Sequence, residues 1–149
     1  MNKASPVHIV KLCVGADTVD DLAAWQAWQL KDAKARKRAR IAPVCGTRAW
    51  PKRADDVLAG GSLYWVIKGT ILVRQRIVAI DTVIDEHGER CGLYLDPELV
   101  RTAPAPKRAF QGWRYLEPKD APADLDSLRS AGGDLPDALR SELMALGAW

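Results

Sequence analysis

The stretch LYWVIKGTILVRQRIVAIDTVIDEHGERCGLYL, residues 63–95, decides the fold. Leu63 to Lys68 and Ile71 to Ile84 are rich in β-branched and aromatic residues and are separated only by Gly69-Thr70, so they read as two consecutive strands. Glu86-His87-Gly88 has the residues of a hairpin tip, and Arg90 to Leu95 forms the returning strand. The apolar phase shifts within the second run, where Leu72, Val78 and Ile80 share one parity and Arg74 and Arg76 interrupt it. Such a slip predicts a β-bulge, and bulges bend sheets.

Upstream, Val7 to Val14 reads as a first strand ending at Gly15. Thr18 and Asp21 have the form of a capping box, and Asp20 and Asp21 suit the positive end of a helix dipole. Val19, Leu22, Trp25 and Trp28 or Gln29 then give an apolar stripe, which assigns both tryptophans to packing. The helix runs on into the basic segment 31–40, with Lys31, Lys34, Arg36, Lys37, Arg38 and Arg40. Ala42 to Trp50 suggests a second strand with Pro43 at its edge. Pro51 opens a short helix through Asp55, Val57 and Leu58 that stops at Gly60-Gly61.

Downstream, Asp96-Pro97 ends the hairpin, Pro104-Ala105-Pro106 reads as a stiff loop, and Phe110 to Leu116 as a final strand. A surface loop is expected over 117–134 and a closing amphipathic helix over 135–147, carried by Leu135, Leu139, Leu143 and Leu146. The element order predicts a single α+β domain over 1–149. Its architecture is a curved, mostly antiparallel sheet or a small barrel with flanking helices.

The 149 residues carry a net charge of +3, concentrated in the segment 31–40, while the stretch from Glu117 on is acidic. An anionic partner would therefore meet one side preferentially. Apolar runs fall far short of the ~20 residues of a spanning helix, and the N-terminus lacks a signal peptide's apolar centre, so a cytoplasmic protein without membrane contact is expected. Cys13, Cys45 and Cys91 are scattered and odd in number, and His8 and His87 have no ligand spacing. No metal and no cofactor are expected.

The densest chemistry surrounds three of the six tryptophans. Trp50 lies beside Lys52 and Arg53, Trp65 precedes Lys68, and Trp113 sits between Gln111 and Arg114. A ring beside a cation can stack a base while neutralising phosphate, although a half-buried strand has the same composition. Arg74 and Arg76 project to one sheet face, either as an anion clamp or as an ordinary wet face. Gly60-Gly61 would let amides approach a ligand, or simply stop a helix.

Lys11-Leu12-Cys13-Val14-Gly15, Trp50-Pro51-Lys52-Arg53, Gly60 to Gly69, Arg74-Gln75-Arg76, Leu95 to Val100 and Arg108 to Leu116 resemble an uncharacterised bacterial family, the domain of unknown function 1489. The resemblance spans nearly the whole chain and implies no established activity. The basic stretch Arg36 to Arg40 departs from it. From about residue 42 to 120 the pattern is also similar to PUA-like barrels of the ASCH and EVE types, which would imply a base or nucleotide held against a curved sheet.

Three readings follow. The first is a non-catalytic module for single-stranded RNA or a nucleotide, using Trp50, Trp65 or Trp113 to stack and Gln111 to read a base edge. Lys52, Arg53, Lys68, Arg74, Arg76 and Arg114 would then meet phosphate. The second is a small enzyme on an anionic substrate, with Arg74 and Arg76 as clamp and Asp81, Asp96 or Glu98 as base. The third is a protein-interaction subunit, whose sign would be an exposed apolar patch around Trp25, Trp28 or Trp149.

Overall fold

The long hairpin read from residues 63–95 forms the spine of the molecule. In the computed structural model, the described residues are 6–126 except 14, 39, 87, 109 and 111, with Asp85 described by its backbone only. Gln111, the latter part of the expected loop (127–134) and the expected closing helix lie outside them. The strands are β1 (His8–Leu12), β2 (Val44–Thr47), β3 (Ser62–Ile67), β4 (Thr70–Asp85), β5 (Gly88–Leu95), β6 (Val100–Pro106) and β7 (Trp113–Leu116). Among the described residues two α-helices, α1 (Val19–Ala35) and α2 (Ala54–Leu58), accompany the strands in an α+β fold.

The strands make one sheet in the order β2-β5-β4-β3-β1-β7, with β6 also on β4. Among the described strands only β1 and β3 pair in parallel. Sixteen-residue β4 belongs to both parts of the sheet. Its first half lies between β3 and β6, and its second half pairs with β5, which carries β2 outside it. The predicted bulge occurs between Ile77 and Ala79, with further register shifts opposite β3 and β6. These breaks bend the sheet without closing it into a barrel.

Lys68 and Gly69, with φ of 50° and 79°, make the two-residue turn joining β3 and β4. Positive φ at both places matches the twist of a hairpin, so Lys68 sits at an exposed turn tip. Pro104 and Pro106, expected in a loop, instead belong to β6. Proline is tolerated because β6 flanks β4, with a single isolated bridge from Thr102 to Asp124 on its far side.

Helix α1 begins as its capping box requires, the Asp21 N–H donating to Thr18 Oγ1 at 3.0 Å. The buried face, however, is Val19, Leu22, Gln26 and Ala33. Trp25 and Trp28 are 46% and 60% exposed, which corrects the assignment of both to packing. What seats the helix is a pair of carboxamides. Gln26 and Gln75 exchange two hydrogen bonds of 2.7 Å, Trp65 Nε1 donates to Gln75 Oε1 at 2.8 Å, and Gln75 Nε2 donates to the Asp96 carbonyl at 3.0 Å. Gln75 thereby uses both donors and both lone pairs.

One turn along, Gln29 brackets the backbone of β2. Its Nε2 donates to the Val44 carbonyl at 3.0 Å, and its Oε1 accepts the Val44 N–H at 3.4 Å. A side-chain amide thus occupies a strand edge, which would otherwise present unpaired groups. Around these contacts Ile9, Leu63, Trp65, Ile67, Val73, Ile77, Leu93 and Leu95 form the main core. A smaller cluster of Val10, Tyr64, Val66, Ile71 and Leu116 lies on the opposite sheet face.

Candidate ligand groove along the first helix

The residues singled out in the sequence fall into four places. Trp65 is 3% exposed beneath α1, so its ring has no free face for stacking. Trp113 and Tyr115, packed edge-to-face at 4.9 Å, hold the 48–53 loop. Trp113 Nε1 donates to the Ala49 carbonyl at 3.0 Å, and Tyr115 OH accepts the Arg53 N–H at 3.0 Å. The Arg53 guanidinium lies over Tyr115 and bonds Asp56 at 2.9 Å and Glu117 at 3.2 Å. The Trp50 and Trp113 neighbourhoods therefore do meet, yet their polar groups serve each other. Trp50 and Lys52 stay exposed at the rim, and Arg114 lies over Phe110.

Arg74 and Arg76 share a sheet face, but Arg74 is committed. It makes two 2.7 Å bonds to the Asp124 carboxylate and one of 3.0 Å to Ser62 Oγ. Asp124 comes from the segment expected as a surface loop, which here docks on the sheet through it and buried Leu125. Arg76 is exposed. Of the candidate bases, Asp81 pairs with Arg40 at 3.4 Å, and Asp96 Oδ1 accepts the Glu98 N–H at 2.9 Å.

Beside Arg74, His8 accepts the Ser62 N–H on Nδ1 at 2.9 Å and stacks edge-on against Tyr64. That geometry requires the neutral ring with its proton on Nε2. Burial, then the charge of Arg74, lowers its pKa below the usual 6.5, against smaller opposing effects of Asp124 and Glu117. The unfolded chain binds the proton more readily, so stability is full above about pH 6.5 and falls as pH drops from there toward the folded pKa. Urea midpoints at pH 5, 6, 7 and 8 are expected to show this slope. His8→Asn, whose carbonyl oxygen can take the same N–H, should flatten it; an unchanged slope would place the acid sensitivity elsewhere.

A concavity in two chambers lies along α1. Its first chamber, about 570 Å³, lies between the end of β1, the start of α1, β2 and the β4–β5 hairpin, and Trp25, Lys11 and Arg90 border it. A second, about 780 Å³, is bordered by Trp28, Tyr94 and Arg36, Arg38 and Arg40. Gln29, Val44, Val83 and Glu86 line both, so the chambers form one groove. Lining residues run from Asp21 to Ala33 on α1, about 18 Å at ~1.5 Å per residue.

Cations line both chambers. Lys11 and Arg90 act on Cys45, although burial dominates and pushes that thiol up to about 11. Arg40 lies 5.2 Å over the Tyr94 ring, and Arg38 acts on the same phenol. Burial raises the Tyr94 pKa, Asp81 adds to this, and the two arginines oppose it. Asp32 pairs with Arg36 at 2.9 Å. Sequence reasoning passed over this groove because Trp25 and Trp28 were placed in the core; the adjacent segment 31–40 was its visible signal.

Among the described residues, no group of three His, Cys, Asp or Glu is arranged to hold a metal ion, and no helix is long and apolar enough to cross a membrane. No curated protein and no solved structure matches the chain. A family match agrees with the motifs between Lys11 and Leu116: the model described as "Protein of unknown function (DUF1489)" covers residues 9–149, and the chain belongs to that family.

Proposed function

We propose that this protein is a binding module that lays a short single strand of nucleic acid, RNA in the first instance, along the groove between α1 and the β4–β5 hairpin. The observation that carries the reading is the exposure of Trp25 and Trp28, one helical turn apart, on a groove whose walls also hold Arg38, Arg40, Arg90 and Lys11. Aromatic faces stack bases of any identity, and flanking cations neutralise phosphate. This moves the expected stacking from Trp50, Trp65 and Trp113 to the two helix tryptophans.

The test is titration of an oligouridylate of about eight nucleotides at low and raised salt, followed by calorimetry. Binding should weaken steeply with salt, and Trp25→Ala/Trp28→Ala should lose at least about 30-fold in affinity, as expected for two stacked bases at ~1–3 kcal/mol each. Trp50→Ala should bind like the parent. A strand that binds equally well to the double variant, or no binding at low salt, sinks the proposal.

Exposed Ile84 on the same groove favours one second reading, a protein-interaction surface. Interfaces concentrate tryptophan and arginine as well. Binding to a protein would persist without the steep salt dependence of phosphate contacts.

A further inference from the structure

The basic segment ends at Arg40, whose head group rests on the β4–β5 hairpin. The guanidinium lies 5.2 Å over the Tyr94 ring, and its Nη2 donates to Asp81 Oδ2 at 3.4 Å. All three residues line the second chamber, which Trp28 borders from α1.

The two groups that receive Arg40 are held by the strands beneath them. Val44, Tyr94 and Ala79 form one cross-strand row and Gly46, Gly92 and Asp81 the next, so Tyr94 and Asp81 share a sheet face. Gly92 has no side chain, and the Tyr94 ring leans into that space: a Cβ at Gly92 would come within 3.1 Å of Tyr94 Cε2. From there Tyr94 OH donates to the Thr82 carbonyl at 3.1 Å, which pins the far end of the ring. Asp81 Oδ1 accepts the Thr82 N–H at 2.8 Å, which fixes the carboxylate with Oδ2 toward Arg40. An aromatic platform thus stands beside an oriented carboxylate.

Arg40 is a loose occupant of that place. Its side chain and that of Asp81 are 49% and 58% exposed, and exposed ion pairs and cation–π contacts are weak and readily replaced. Its guanidinium displays the shape that the place fits, a planar N–C–N unit with neighbouring N–H donors for a carboxylate. Among the RNA bases guanine alone has this edge, in N1–H and the N2 amino group. Adenine and cytosine set a ring-nitrogen acceptor beside their amino group, and uracil offers a single N–H.

We infer that Tyr94 and Asp81 form a guanine-reading subsite of the groove. The base stacks on Tyr94 in place of the Arg40 guanidinium, and the Asp81 carboxylate accepts its N1–H and one N2–H. The step from a strand to one preferred base rests on the groove reading. Arg40, once displaced, meets the adjoining phosphate. For any other base the Asp81 charge faces an acceptor or a phosphate, so the same residue selects guanine and rejects its competitors.

The experiment compares calorimetric titrations of octauridylate with the same strand carrying guanosine, inosine or adenosine at one central position. Guanosine and adenosine 5′-monophosphates and arginine methyl ester serve as free competitors. The guanosine strand should bind at least about tenfold tighter than octauridylate, roughly 1.4 kcal/mol. Inosine, which keeps N1–H and lacks the N2 amino group, should lose most of that gain. Asp81→Asn should erase the preference, whereas Arg40→Ala should keep it, because Arg40 leaves the platform in the complex. Trp28→Ala should weaken all the strands alike.

If guanosine monophosphate binds in preference to adenosine monophosphate and requires Asp81 while no strand binds, the subsite stands and the groove reading falls. Strands that bind alike whatever their central base, with no competition from guanosine monophosphate, overturn the subsite and leave the groove. A guanosine preference that survives Asp81→Asn, disappears in Arg40→Ala or is matched by inosine overturns the role given to Asp81. Arginine methyl ester competing where guanosine monophosphate does not would make the occupant a guanidinium and overturn the base.

Discussion

Gln75→Leu is expected to cost about 4 kcal/mol or more, since each buried polar group left unpaired costs ~1–3 kcal/mol. The substitution strands Trp65 Nε1, the Gln26 carboxamide and the Asp96 carbonyl, all of which converge on Gln75. At roughly 2–4 °C per kcal/mol for a chain of this size, the melting temperature should fall by about 8–16 °C. Adding Gln26→Leu should cost little beyond the single change, because it removes an orphaned partner instead of creating one. Thermal and urea unfolding of the two variants decide it. A Gln75→Leu protein within about 1 kcal/mol of the parent would mean that water or local repacking replaces the network.

Gly61→Ala is expected to cost about 3 kcal/mol or more, through overpacking that rigid backbone cannot relieve. A Cβ at Gly61 would fall 2.6 Å from the Val57 carbonyl oxygen and closer still to that of Val7. Neither can retreat cheaply: Val57 belongs to α2 and accepts the Gly61 N–H at 2.7 Å, and Val7 leads into the central strand β1. The Gly61 carbonyl also accepts the Ile77 N–H at 3.1 Å. Gly69→Asn is the contrasting control, because φ is 79° there, a Cβ meets nothing within 4 Å, and asparagine tolerates that conformation. Equal melting temperatures for the two variants would refute the packing argument. The amide once considered for a ligand is thus committed to the helix stop.

Local chemistry was legible in the sequence. The Thr18 cap, the Gly69 turn and the β4 bulge each follow from a few adjacent residues, and each is present. The helix face was not, because hydrophobicity assigns tryptophan inward and glutamine outward. Here the inward place goes to Gln26, whose cost of burial is removed by Gln75, 49 positions away in sequence. The candidate site failed to converge for the same reason. Arg74 meets Asp124 across 50 positions and Arg53 meets Glu117 across 64, pairings that no local spacing announces. The prolines of β6 misled because a proline-rich stretch and a strand flanking the spine have the same composition.

The bracket that Gln29 places on Val44 has a wider consequence. Through Gln26, α1 is fastened to the central strands; through Gln29, it is fastened to β2, on the far side of the bend in β4. The helix is therefore a splint across a curved plate. The span between its two fasteners fixes how wide the trough beside it opens. Curvature and aperture are then one mechanical variable, so anything that wedges the trough apart must flex the bulge at Ile77, and a stiffer bend would hold the trough at a single gauge.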